Sequence, residues 1–239
     1  TQAADVDGDR ADDLIVTGAT GSGAGSVSVT VYSYRRSQVL WQYEYAMSSP
    51  TTATLAPAGA IGDLDGDGKP ELALSVFNNT AELGAADGVD EPGRWVVAIY
   101  DAGTGALRAF LRDRVLVGFA DVDDRAGVEL VTRSATPGSV RVPARGDVAI
   151  FGLAPGGGVT PEHVISNAEP VVQGVRDPKI NSRDTGVAPA VYGAEGSAGL
   201  LVTQFVDGAR QLVLVRNRRQ QAAAPMEDGV SVTLLGTAS

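Results

Sequence analysis

The stretch Asp63-Leu-Asp-Gly-Asp-Gly-Lys-Pro-Glu-Leu72 sets carboxylates at positions 63, 65, 67 and 71 of a loop too short to separate them. Two like charges about 4 Å apart repel by about 1 kcal/mol in bulk water and about 4 kcal/mol at the effective dielectric of a protein surface. A positive charge is therefore expected among them. The same pattern occurs elsewhere in the chain. Asp5-Val-Asp-Gly-Asp-Arg-Ala-Asp-Asp-Leu-Ile-Val16 and Asp121-Val-Asp-Asp-Arg-Ala-Gly-Val-Glu-Leu-Val-Thr132 align with it without gaps, and the three copies start at residues 5, 63 and 121, an interval of 58. A worn fourth copy, Phe205-Val-Asp-Gly-Ala-Arg-Gln-Leu-Val-Leu-Val215, starts 84 residues after the third. The excess falls in a polar stretch bearing Pro and Gly between about 167 and 199, which reads as an insertion.

Each acidic loop leads into a short apolar run, then turn residues, then a second run: Val27 to Tyr34, Trp95 to Asp101, Asp147 to Leu153 and Val230 to Leu235. Two repeats continue into a third run, Val39 to Tyr45 and Ala106 to Leu111, the latter through the turn Ala102-Gly-Thr-Gly105. Further runs, Ala58 to Ile61 and Val115 to Ala120, precede the second and third loops. No helical periodicity is evident, and 30 glycines among many short runs indicate an all-β chain. Four strands recurring at this interval are the signature of β-propeller blades, whose radial packing protects sheet edges. The runs are expected to alternate buried and solvated side chains. Blades are expected to start near residues 1, 58, 115 and 200 of a single propeller domain or propeller fragment spanning 1–239. A seven-bladed ring at this interval needs roughly 400 residues, so the expectation is about four blades belonging to a larger ring.

Alternate residues of a turning, extended backbone converge on one point, so loop positions 1, 3, 5 and 9 with the carbonyl of position 7 form an all-oxygen cage. Such hard ligands in a flexible loop suit Ca²⁺ better than Mg²⁺, which demands a stricter octahedron. The expected ligands are Asp5, Asp7, Asp9 and Asp13 with the carbonyl of Ala11 in the first loop, and Asp63, Asp65, Asp67 and Glu71 with that of Lys69 in the second. An EF-hand requires a bidentate Glu at position 12, where this chain has Val16 and Leu74. The form Asp-x-Asp-Gly-Asp-x-x-x-Asp/Glu-Leu ahead of strands instead resembles the FG-GAP and VCBS repeats of bacterial surface proteins and integrin α-subunit propellers. That resemblance implies a propeller with Ca²⁺ held between the first two strands of a blade. In the third copy Arg125 replaces the position-5 acid, so that loop is expected to be metal-free, with the guanidinium neutralising Asp121, Asp123 and Glu129. The fourth copy keeps only Asp207 and is expected to be empty.

A net charge of −10 and a pI near 4.5 argue against nucleic acid or an anionic membrane as partner. Without cysteine there are no disulfides, thiolate metal sites or cysteine nucleophiles. No apolar run approaches the ~20 residues of a spanning helix. Arginine outnumbers lysine, present only as Lys69 and Lys179, a skew read as that of a GC-rich bacterial genome.

The remaining candidates carry structural readings. His163 is read as an ordinary strand histidine, Trp41, Tyr43 and Tyr45 as packing between blades, and Arg216, Arg218 and Arg219 as a solvated loop. Asn78-Asn-Thr80 fits a glycosylation sequon. The function expected is a calcium-stabilised, extracytoplasmic binding, adhesion or scaffold module, without catalytic residues, for protein or glycan at the cell surface. Its partners include further blades or another chain of a larger assembly. The competing class is a secreted propeller enzyme, either a polysaccharide lyase or a quinone-dependent dehydrogenase, since Val97-Ala-Ile-Tyr-Asp-Ala-Gly-Thr-Gly105 resembles quinoprotein blades.

Overall fold

The computed structural model describes residues 2–20, 24–48, 59–78, 93–123, 125–139, 142–143, 145–174, 187–189, 191–192, 199–217 and 219–226. Among these there is no helix, and the chain folds as successive antiparallel meanders. The first comprises β1 (Gln2–Ala4), β2 (Asp13–Thr20), β3 (Ala24–Ser33) and β4 (Gln38–Ser48); the second β5 (Gly59–Gly62), β6 (Glu71–Asn78), β7 (Arg94–Asp101) and β8 (Leu107–Arg112). The third comprises β9 (Arg114–Ala120), β10 (Glu129–Ser134), β11 (Gly146–Leu153) and β12 (Val159–Pro170). Short strands β13 (Val172–Gly174), β14 (Val187–Pro189) and β15 (Val191–Tyr192) precede a fourth meander of β16 (Gly199–Val206), β17 (Ala209–Arg216) and β18 (Arg219–Met226). The third and fourth are joined where Ala168, Glu169 and Pro170 pair with Gln204, Thr203 and Val202.

The 58-residue interval reappears as geometry. Opening strands end at Ala4, Gly62 and Ala120, and the strands after the acidic loops begin at Asp13, Glu71 and Glu129. The loops thus occupy the same turn in three sheets. In the fourth copy Asp207 and Gly208 alone span the turn, with φ of +50° and +82°, and Val206 pairs directly with Ala209. Two successive residues with positive φ make a tight mirror-image hairpin turn, leaving no room for an acidic loop.

Apolar side chains weld the sheets face to face. Ile15, Val29, Val31 and Trp41 of the first meander pack with Leu72, Leu74, Val76 and Tyr100 of the second. On the opposite face of the second, Ala73, Val97 and Ile99 meet Leu116, Leu130, Ala149 and Phe151 of the third. Val148, Ile150 and Ile165 in turn pack with Leu200, Val202 and Val213. Residues 71–77 and 95–100 are consequently buried on both faces, which corrects the expected alternation: a blade with neighbours on both sides has no solvated face. Alternation survives in the first meander, where Leu14 and Val16 are 42% and 38% exposed while Ile15 is buried. Their equivalents Leu72 and Leu74, 58 residues later, are fully buried against the first meander.

The expected packing role of the aromatic stripe holds for Trp41, whose Nε1 donates to the Ala102 carbonyl at 2.8 Å and whose ring lies 6.0 Å from that of Tyr100. Tyr43 is half exposed, yet its hydroxyl reaches the Gly105 carbonyl. The side chain of Tyr45, residues 79–80 of the sequon, Arg218, the run 230–235 and much of the insertion lie outside the described residues. The third strand of the fourth meander is Arg219–Met226, with Arg216 and Arg219 flanking its hairpin. Its Arg-Gln-Gln-Ala-Ala-Ala-Pro-Met sequence contains no β-branched residue, so it gives no strand pattern; among the described residues it is the outermost strand of its sheet, a position that tolerates Pro225.

A buried hydrogen bond ties the second meander to the third: the backbone N–H of Leu116 donates to Ser75 Oγ at 2.6 Å. Ser75→Ala strands that N–H, so it is expected to lower stability by about 1–3 kcal/mol, measured by urea unfolding.

Candidate metal centre

The first two acidic loops wind around their first carboxylate. Asp5 Oδ1 accepts the N–H groups of Gly8 and Asp9 at 2.8 and 3.1 Å, and Oδ2 that of Arg10 at 2.8 Å. Asp63 repeats this with Gly66, Asp67 and Gly68 at 2.8, 3.1 and 2.9 Å. Position 9 closes the loop from the far side by accepting the N–H of position 2. These bonds are Val6 to Asp13 at 3.2 Å, Leu64 to Glu71 at 2.8 Å and Val122 to Glu129 at 2.9 Å. Val6, Leu64 and Val122 are themselves buried, so a hydrophobic anchor and a carboxylate fix each turn together. The turn also requires positive φ: Gly68 adopts +85°, and its equivalent Arg10 takes +67°, a conformation that glycine adopts at no steric cost.

In the first loop, carboxylate oxygens of Asp5, Asp7 and Asp13 lie within 4.8 Å of one another. Asp7 Oδ2 also accepts from Ser33 Oγ at 3.1 Å and faces Arg36 Nε at 3.2 Å. Asp9 stands outside the triplet: its Oδ1 accepts the Ala11 N–H at 2.9 Å, whereas its Oδ2 is buried and meets no hydrogen-bond donor. A buried carboxylate oxygen without a donor is costly. The carboxylate oxygens of Asp5, Asp7 and Asp13 gathered in the same loop are hard ligands that fit a divalent cation.

The second loop brings together Asp63, Asp65 and Glu71 in the same way. Asp67 is exposed and turns its Oδ1 to the Lys69 N–H at 2.8 Å. Here a residue absent from the sequence reading intervenes. Arg108 at the start of β8 pairs through one guanidinium nitrogen with Glu71 Oε1 and through the other with Asp65 Oδ2 at 2.7 Å. The Asp65 and Glu71 side chains are both 1% exposed. Burial pushes the Glu71 carboxyl above its ordinary range, with Asp65 adding to the rise and the Leu64 N–H and Arg108 opposing it. Burial pulls the Arg108 guanidinium down, but its hydrogen bonds and charge contacts with Asp65 and Glu71 carry it upward on balance.

The third loop also gathers three acids, Asp123, Glu129 and Glu162. Glu162, on β12, is another residue the loop pattern could not indicate. Arg125 lies 4.0 Å from Asp123 and 3.6 Å from Glu162, with its side chain 65% exposed, so the expected internal neutralisation is partial and runs to Glu162 instead of Glu129. His163 follows Glu162 in β12, opposite Ile150. The three acidic clusters could each hold a metal ion.

Burial, with Asp123, Glu162 and Asp121 nearby, pushes Glu129 up to about 7, against the Val122 hydrogen bond. A carboxyl held above its unfolded value binds more protons in the folded state, so its contribution is fully present below about pH 4.5 and is lost as pH rises through about 7. In chelator, stability is therefore expected to fall between pH 5 and 8 by about 1–3 kcal/mol on account of this group. Glu129→Gln, which keeps an acceptor for Val122, is expected to flatten that fall in thermal melts.

The FG-GAP-like repeat family matches residues 5–74. No curated protein matches the chain significantly. Among solved structures, rhamnogalacturonan lyase YesW is similar over 90% of this chain and 46% of its own, with TM-score 0.53 and 13% identity. A rhamnogalacturonan lyase of Bacillus licheniformis is similar over the same shares, at TM-score 0.54 and 14% identity. The exotype rhamnogalacturonan lyase YesX matches over 90% and 44%, at 0.52 and 14%. The chain thus spans less than half the length of these lyases, and at such identity the likeness is one of fold. Residues 5–74 thus carry an FG-GAP-like repeat, and the stacked antiparallel sheets with their matched acidic loops give the chain a β-propeller fold.

Proposed function

We propose that this chain is the calcium-stabilised part of an extracytoplasmic β-propeller that acts as a binding, adhesion or scaffold module for a glycan or a protein. The observation carrying the reading is the first acidic loop, where Asp5, Asp7 and Asp13 converge and Asp9 Oδ2 is buried without a donor. Asp5, Asp7, Asp9 and Asp13, with the Ala11 carbonyl, are the residues that would hold the ion. Its contribution is electrostatic: cancelling carboxylate repulsion and fixing the hairpin between β1 and β2. Exported calcium modules work at dissociation constants of about 10⁻⁴–10⁻³ M, which supports a location outside the cytoplasm, as does the kind of repeat.

Two surface features support recognition. A hollow beside the first loop is lined by Ala11, Tyr32, Tyr34, Arg35 and Ser37, and Tyr34 is 75% exposed. An aromatic ring beside a guanidinium suits a sugar that carries a carboxylate. The outer face of the first meander, with Leu14, Val16 and Val39 exposed, is the face that the second meander buries against its predecessor. That equivalence supports a larger ring, with a further blade covering this face.

A second reading, that the chain belongs to a polysaccharide lyase, is favoured by its fold likeness to three rhamnogalacturonan lyases. Affinity electrophoresis in rhamnogalacturonan, run alongside ultraviolet detection of the unsaturated uronate formed by β-elimination, separates the two. Retardation that Tyr34→Ala weakens, without product, is the expected result; product formation favours the lyase reading. For the metal, calcium at about 100 times its dissociation constant stabilises by about 2.7 kcal/mol, which for a domain of this size is a rise of about 5–10 °C in Tm. The double substitution Asp7→Asn with Asp9→Asn is expected to abolish that rise over EGTA, and equal midpoints for the unmodified chain with and without calcium would remove the structural role of the ion.

A further inference from the structure

The three acidic clusters are equivalent in place, yet one position facing them differs in chemistry. Ile15, Ala73 and Val131, spaced by 58, pair with Val31, Ile99 and Ile150. Immediately beyond these three residues the pairing of third and fourth strands slips by one, between Val31 and Tyr32, Ile99 and Tyr100, and Ile150 and Phe151. The extra residue of each bulge is Leu40, Arg108 and Glu162 respectively. A bulge re-aims its side chain. In the second and third meanders that side chain reaches the acidic cluster: Arg108 touches Asp65 and Glu71, while Glu162 joins Asp123 and Glu129. In the first meander the position is apolar.

Arg108 satisfies the second cluster as a fork. Its two terminal nitrogens take Glu71 Oε1 and Asp65 Oδ2, and one of them also donates to the Pro155 carbonyl at 2.9 Å. The other oxygens of those carboxylates accept the N–H groups of Leu64 and Asp67 at 2.8 and 3.2 Å. Both oxygens of the position-3 and position-9 acids therefore have donors. The arginine that faces the first loop from the β3–β4 hairpin differs: Arg36 meets one carboxylate oxygen and its side chain is half exposed, whereas that of Arg108 is 17% exposed. A divalent cation drawn to the second cluster would share Asp65 and Glu71 with a guanidinium of the same sign. Arg108 also couples neighbouring sheets, because Pro155 lies in the hairpin of the third meander and a Cβ on Gly157 of that hairpin would come within 2.8 Å of the Arg108 carbonyl.

We propose that Arg108 is the resident cation of the second acidic loop: its guanidinium takes the place of a metal ion between Asp65 and Glu71 and at the same time ties the second blade to the third. The chain then carries a calcium cage at 5–13 and a guanidinium-closed copy of it at 63–71. The contrast between the copies rests on the calcium reading of the first loop, but the assignment at Arg108 does not.

The test counts calcium ions per chain by isothermal titration calorimetry and native mass spectrometry after exhaustive chelation. Asp67→Asn in the otherwise unmodified chain is expected to leave the count unchanged. Arg108→Met is expected to gain about one ion, which Asp67→Asn then removes. Loss of an ion on Asp67→Asn alone overturns the proposal, as does an Arg108→Met chain with unchanged circular dichroism that gains none. If Arg108→Met does not fold, Arg108→Gln, which retains a hydrogen-bond donor, takes its place under the same criteria. An unmodified chain that binds no calcium beside an Arg108 variant that does upholds this assignment and overturns the calcium reading of the first loop.

Discussion

Three or four carboxylates gathered in one turn repel one another unless positive charge stands among them, and this fold places that problem at the same corner of three successive sheets. Part of the answer is common to the copies. Backbone N–H groups point at the first carboxylate in two loops and at the ninth-position carboxylate in all three. These bonds set the turn but deliver only partial charges. The remainder differs from copy to copy: a half-exposed arginine and a donorless aspartate oxygen in the first, a forked and largely buried arginine in the second, and an exposed arginine with a third acid in the third.

The loops matter beyond their own hairpins because neighbouring blades lean on them. The Val128 N–H of the third loop donates to the Asp63 carbonyl of the second at 2.8 Å, and the Asn217 N–H of the following meander donates to the Val122 carbonyl at 2.9 Å. Gly66 permits the first of these approaches, since a Cβ there would fall 2.8 Å from the Ala126 carbonyl oxygen. Apolar clusters supply most of the cohesion between sheets, as the doubly buried strands β6 and β7 indicate. The loops set the edge at which one sheet meets the next. Neutralising the acids thus serves blade registration as well as local turn geometry.

Much of this was legible in the residues. The 58-residue interval fixes the ends of the opening strands and the position of the acidic turns, because gap-free repetition leaves little freedom in where a turn falls. Burial was less legible: an isolated strand reads as two-faced, and only stacking shows that both faces of β6 are interior. Arg108 and Glu162 were hidden for a different reason. They are equivalent through strand pairing, but the hairpins before them differ in length, so their separation is not a multiple of the repeat. The third strand of the last meander was missed because its alanines and glutamines adopt strand geometry only through pairing with the Leu and Val of β17.

Hydrogen–deuterium exchange of the loop amides, followed by mass spectrometry in calcium and in EGTA, tests most directly the claim that each loop is organised around its own positive charge. The account expects amides of residues 5–13 to exchange markedly more slowly in calcium, while those of residues 63–71 are protected to the same degree in both conditions. A calcium response at 63–71 as large as that at 5–13, or no response at 5–13, would contradict it.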